Sequence, residues 1–155
     1  MQQNQTKTSV SPQGEVFELP SGAEYATEYE RVRDLAEAAR ARGQEVVVVM
    51  GVGFVGAVMA AIIADCTGDD GVSSKFVIGC QRPSTRSYWK IPLLNRGISP
   101  VKAEDPEVDL LISRCVKEKQ TLTATYNPQV IDLADCVVID VQCDFLKQEL
   151  GNMKS

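Results

Sequence analysis

Three glycines, Gly51, Gly53 and Gly56, stand in a G-x-G-x-x-G spacing directly behind the valine run 46–49 and ahead of an apolar stretch that opens at Phe54. In that setting each glycine has its own physical task. Gly51 permits a tight turn, Gly53 lets the backbone approach a pyrophosphate, and Gly56 lets helix and strand pack closely. The helix that follows directs the unpaired amides of its first turn at the phosphates, so no cationic side chain is required. The chemistry expected of Gly51, Val52, Gly53, Phe54, Val55 and Gly56 is binding of a dinucleotide or mononucleotide. The plainer alternative is a turn whose glycines serve packing alone.

The other half of such a fingerprint is an acidic residue closing the second strand, where its carboxylate accepts hydrogen bonds from the adenosine ribose. Here that strand runs instead into Gln81-Arg82-Pro83-Ser84-Thr85-Arg86. Gln81 with Arg82 and Arg86 nearby suits a 2′-phosphate, and hence NADP. Gln81 suits a ribose hydroxyl of NAD equally well, with the arginines as surface charge, so both cofactors stay open. Cys143, at the end of a later strand, is a further residue expected to face the site.

What is missing narrows the chemistry further. The chain has no histidine, which removes imidazole bases, Cys–His and Ser–His pairs and most catalytic zinc sites. Its five cysteines, Cys66, Cys80, Cys115, Cys136 and Cys143, show no C-x-x-C pair and no metal-ligand rhythm. The first four are read as small buried hydrophobes in a reduced, cytoplasmic protein. Glu104, Asp105 and Glu107 are a possible acid–base or magnesium cluster, but a helix N-terminus wants acidic residues anyway. Tyr88 and Trp89 beside Lys90 suit stacking on a base or, more simply, anchoring a loop. No residue is expected to be catalytic or to bind a metal. A net charge of -5 argues against nucleic acid or anionic lipid as a partner.

The elements that must position this loop follow from periodicity in a 155-residue chain, the size of one domain. Residues 1–22 are polar and aperiodic, lack a signal peptide's apolar stretch, and are expected to form a flexible leader. Residues 23–43 are an amphipathic helix with Gly43 just past its end, its arginines paired with interleaved acids on a solvated face. Residues 44–155 then alternate: strand 45–50, helix 54–66, strand 75–80, a polar stretch, a helix capped by Asp105 with Pro106 at its first position, a strand at 121–125, a brief helix at 128–133 and a strand at 136–141. A helix is expected to start near Phe145. This order predicts an α/β fold, a Rossmann-like partial doubly wound parallel sheet in three α/β/α layers, preceded by an N-terminal helix. Residues 46–64 are nineteen without a charge, but the glycines and the valine strand speak against a membrane span.

The run Ile91-Pro92-Leu93-Leu94-Asn95-Arg96-Gly97-Ile98-Ser99-Pro100, followed by Glu104-Asp105-Pro106-Glu107-Val108, resembles the nucleotide-sugar dehydrogenases, the family of UDP-glucose, GDP-mannose and UDP-N-acetylmannosamine dehydrogenases. The likeness extends over about residues 45–141 and includes the glycine loop and the Ala134-Asp135 pair. It implies NAD(P)-dependent oxidation of a nucleotide sugar's C6 alcohol to the uronic acid, in two hydride transfers. Gln81 replaces the family's usual Asp, and Cys143-Asp144 its usual Thr-Pro. The family's nucleophilic cysteine, with its lysine and asparagine partners, belongs to later regions. The chain is accordingly expected to be the cofactor-binding portion of such an enzyme, inactive in isolation, with the nucleotide sugar a partner only of the complete enzyme. A non-catalytic nucleotide-binding module with a half-Rossmann fold is the alternative. An unfinished sheet edge predicts a homo-oligomer or association with a missing C-terminal part.

Overall fold

Four adjacent valines favour extended chain, because β-branched side chains lose rotamer freedom in a helix and pack well on a pleated surface. The computed structural model describes residues 7–140 and the backbone of 146–149 and 152–154. Its elements are β1 (Thr8–Val10), β2 (Val16–Glu18), α1 (Glu24–Ala41), β3 (Glu45–Met50), α2 (Phe54–Asp65), β4 (Lys75–Cys80), α3 (Lys90–Asn95), α4 (Glu107–Ser113), β5 (Leu122–Thr125), β6 (Cys136–Ile139), β7 (Leu146–Glu149) and β8 (Asn152–Lys154). A π-helical turn, Arg114–Glu118, continues α4, and a 3-10 helix, Pro128–Leu133, precedes β6.

β3, β4, β5 and β6 form a parallel sheet in the order β5-β4-β3-β6. Counted from β3 this is 3-2-1-4, the opening of the doubly wound dinucleotide fold, so the expected Rossmann-like architecture is present. The register matters for the site. Met50 lies opposite both Cys80 and Ile139, so the three strands reach the same level at their carboxyl ends.

β3, β4 and β5 are buried on both faces, which is why β3 reads as an unbroken apolar run, whereas β6 at the sheet edge is largely exposed. Val47 and Val49 face a layer made by α2 and α4, where Ala57, Ala60, Ala61 and Ala64 let the helix lie close. Val46 and Val48 face the other way, with Phe76 and Ile78, onto Val32, Ala36 and Ala39 of α1. The helix that precedes the sheet in sequence thus supplies its third layer. Its arginines are not confined to a solvated face. Arg31 bonds Thr123 and the Ala124 carbonyl as well as Glu28, and Arg40 pairs with Asp135.

Charge fixes the opposite layer. Asp65, the last residue of α2, accepts from Arg114 at 2.8 Å and pairs with Lys119 at 2.7 Å. These cations, Arg114 foremost, hold its carboxyl down at about 2. The π-helical turn and the residue that caps it, Lys119, present both partners to that one carboxylate.

Several elements depart from expectation. Residues 8–18 form an antiparallel hairpin where irregular chain was expected. It is held by Ser9, whose hydroxyl accepts from the Trp89 amide, and by Glu15, which pairs with Arg96 while Phe17 lies under the same guanidinium. These anchors are distant in sequence, so no local pattern reveals them. α3 fills what read as a polar stretch, and three of its six residues, Ile91, Leu93 and Leu94, are buried. α4 begins two residues after Asp105, whose carboxylate still accepts from the Glu107 amide. β7 and β8 stand where a terminal helix was expected. Cys80 and Cys115 are buried as expected, whereas Cys66, at the end of α2, and Cys136, opening β6, are exposed. Among the described residues no helix is long and apolar enough to cross a membrane.

Candidate functional site

The carboxyl ends of β3, β4 and β6 are sewn together just where the glycine turn begins. The Gly51 amide donates to the Cys80 carbonyl at 2.8 Å, and the Asp140 amide to the Met50 carbonyl at 2.8 Å. Gly51 has φ +101°, a conformation open to glycine and strained for other residues, and it turns the chain from β3 into α2. Val52 then points inward. Its side chain is fully buried and lies against Gly79, where an added Cβ would stand 2.7 Å from it. Its amide donates to Gln81 Oε1 at 3.0 Å. Val52 therefore shapes the loop from inside rather than facing a ligand, and Gly79 is a partner of the turn that the spacing did not point to.

The next two glycines differ sharply. A Cβ on Gly53 would have nothing within 4 Å, so the protein itself imposes no steric need for glycine there. A Cβ on Gly56 would collide with the Gly51 carbonyl and stand 2.9 Å from Asp140 Oδ2. Gly56 is thus the contact between helix and turn, while Gly53 keeps open space open. That space is a cleft of about 570 Å³ lined by Gly51, Gly53, Phe54, Val55, Gln81, Ser87, Lys90 and Asp140.

α2 starts on this cleft without a cap. Gly53, its N-cap residue, has no side chain to offer, no acid stands in the first turn, and the first helical hydrogen bond is Ala57 to Gly53. The amides ahead of Ala57 have no partner within the helix, and they carry its positive dipole end. Such an end in front of an open cleft attracts an anion.

The remaining residues singled out by sequence separate. Gln81 closes β4 and lines the cleft. Arg82 turns to a neighbouring cleft of about 560 Å³ with Tyr25, Met50, Cys80, Pro83, Tyr126 and Pro128. Arg86 is exposed and lines neither cleft. Cys143 lies outside the described residues. Three cleft residues were not singled out as ligands. Ser87 and Lys90 follow β4 in a polar stretch, and Asp140 is a charge just past the apolar run of β6, a strand that reads as buried but is largely exposed in the structure. Tyr88 and Trp89 anchor the loop: Tyr88 meets Tyr126 edge-on and Trp89 Nε1 donates to the Arg86 carbonyl.

Residues of the family-like motifs hold the frame. Asn95 Oδ1 accepts from the Ala124 amide at 2.7 Å and its Nδ2 donates to the Ala124 carbonyl at 3.0 Å, which covers the free edge of β5. Asp135 accepts from the Val46 amide at the end of the sheet remote from the cleft. Burial pushes the Cys80 and Cys115 thiols up to about 11, so neither is a thiolate at neutral pH. Among the described residues no cluster of acids and cysteines suits a metal ion.

No protein-family model matches the chain, and no curated protein matches it. Among solved structures it matches the NDP-N-acetyl-D-galactosaminuronic acid dehydrogenase of Methanosarcina mazei Go1, with 34% identity over 72% of this chain and a TM-score of 0.58. The chain resembles the nucleotide-sugar dehydrogenases. The match spans 22% of that dehydrogenase's length and fits its N-terminal portion. The likeness supports a dehydrogenase-related nucleotide-binding domain.

Proposed function

We propose that this chain is the NAD(P)-binding portion of a nucleotide-sugar dehydrogenase that oxidises the C6 alcohol of a UDP- or GDP-sugar to the uronic acid. The start of α2 carries the reading: Gly53 borders open space, and no side chain caps the amides beside it. The residues present suit a dinucleotide. Amides of Gly53, Phe54 and Val55 hold the diphosphate, Gln81 meets the adenosine ribose, and the apolar cleft by Tyr126 and Pro128 takes the adenine. When bound, the nicotinamide supplies a hydride acceptor. The chain's own part is to bind and orient, because it offers no imidazole base and its buried thiols stay protonated. The nucleophile and the sugar site come from the rest of the enzyme. In the same reading the protein is cytoplasmic, and the sheet extends beyond β6 or joins a second copy there. The half-exposed apolar face of α2, with Phe54, Val55 and Ile62, is a second surface for association.

Calorimetric titration of the chain with NAD and NADP, followed by addition of UDP-glucose or GDP-mannose, tests this. The expected result is saturable binding of at least one cofactor and no reduced cofactor after the sugar is added. Absence of binding contradicts the dinucleotide reading. Cofactor reduction by the isolated chain contradicts placing the chemistry elsewhere.

A further inference from the structure

We infer that the corner formed by Gln81, Ser87 and Lys90 selects the 2′-phosphate of NADP, an inference that rests on the dinucleotide reading above. The orientation of Gln81 is fixed by its partner. A backbone N–H requires an oxygen, so the bond from the Val52 amide commits Oε1 inward and leaves the Nε2 group as the one free to face the cleft. A carboxylate at this position would accept from both ribose hydroxyls. This side chain has its acceptor spent and presents donors instead, which complement the oxygens of a phosphate.

The cation that completes the corner is Lys90. It is the first residue of α3, it lines the same cleft as Gln81, and among the described residues no carboxylate lies within ion-pair distance of it. Its ammonium stands 5.8 Å from the centre of the neighbouring Trp89 ring. An ammonium without a carboxylate partner in the same cleft as a donor amide is poor complementarity for a neutral ribose and good complementarity for a dianion. Ser87 adds a hydroxyl, 2.7 Å from the Ser84 hydroxyl and 3.1 Å from the Arg82 carbonyl. Asp140, the one carboxylate lining the cleft, lies beside Gly56 and forms no ion pair with Lys90. The arginines that first suggested a 2′-phosphate are not the residues that form this corner, because Arg82 lines the other cleft and Arg86 neither.

The test is the NADP-to-NAD affinity ratio of the full chain and two variants, read by titration with each cofactor. Trp89, the chain's single tryptophan, provides a fluorescence signal next to Lys90. The parent is expected to favour NADP by about tenfold or more. Gln81→Glu keeps an oxygen for the Val52 amide and replaces the donor with a carboxylate oxygen, and Lys90→Gln removes the charge. Each is expected to lower the ratio by about tenfold. A parent ratio of one or less, or a ratio that neither variant moves, overturns the proposal. If NAD binds the parent more tightly, the dinucleotide reading stands and this inference falls; if neither cofactor binds, both fall. Should Gln81→Glu fail to fold, Lys90→Gln decides alone, since Lys90 makes no hydrogen bond through its ammonium among the described residues.

Discussion

A Gly53→Val chain is expected to fold like the parent and to lose its dinucleotide affinity by about a hundredfold or more. The backbone at Gly53, φ −73° and ψ −159°, is extended and open to valine, and a Cβ there meets nothing within 4 Å. Thermal denaturation should place its Tm within about 2 °C of the parent, because no native contact is broken. The binding loss comes from the ligand side. The added methyls fill the space where phosphate oxygens approach the first-turn amides, and each charge-assisted bond forfeited is worth about 1.5–3 kcal/mol. Two such bonds account for about a hundredfold. Unchanged affinity in a folded Gly53→Val chain would mean that the ligand, if any, binds elsewhere.

Gly56→Ala is expected to do the reverse and damage the fold first. Alanine in a helix interior gains about 1 kcal/mol over glycine. Here that gain is overwhelmed, because the new methyl lands on the Gly51 carbonyl, a backbone atom that cannot rotate away, and crowds Asp140. Overpacking of this kind costs about 3 kcal/mol. The net loss of about 2 kcal/mol should lower the Tm by about 5 °C in a chain of this length. A Gly56→Ala protein as stable as the parent would show that α2 and the turn can part without cost.

These two substitutions change glycines three positions apart in one motif, and the spacing pointed to the turn at Gly51 and the close packing at Gly56 because those tasks are local. Turn, close approach and helix packing involve residues within a few positions of one another. The same holds for β3, whose valines are buried on both faces, and for α1, whose apolar stripe is Val32, Ala36 and Ala39. What the sequence hid depends on distant partners. The hairpin of β1 and β2 is held by Trp89 and Arg96, some eighty positions away. Lys90 and Ser87 looked like loop polarity, because only the return of the chain beneath the glycine turn brings them into the cleft with Gln81. Arg82 looked like a ligand of that cleft, and the turn after β4 sends it to the other one.

The central claim is that bare amides between β3 and α2 hold a diphosphate, and backbone amide chemical shifts observe those amides directly. On adding NADP or NAD to isotope-labelled chain, the account predicts saturable shifts concentrated at Gly53, Phe54 and Val55, with Gln81 moving in step. Saturable binding that leaves these amides still, while shifts appear at another surface, would contradict it.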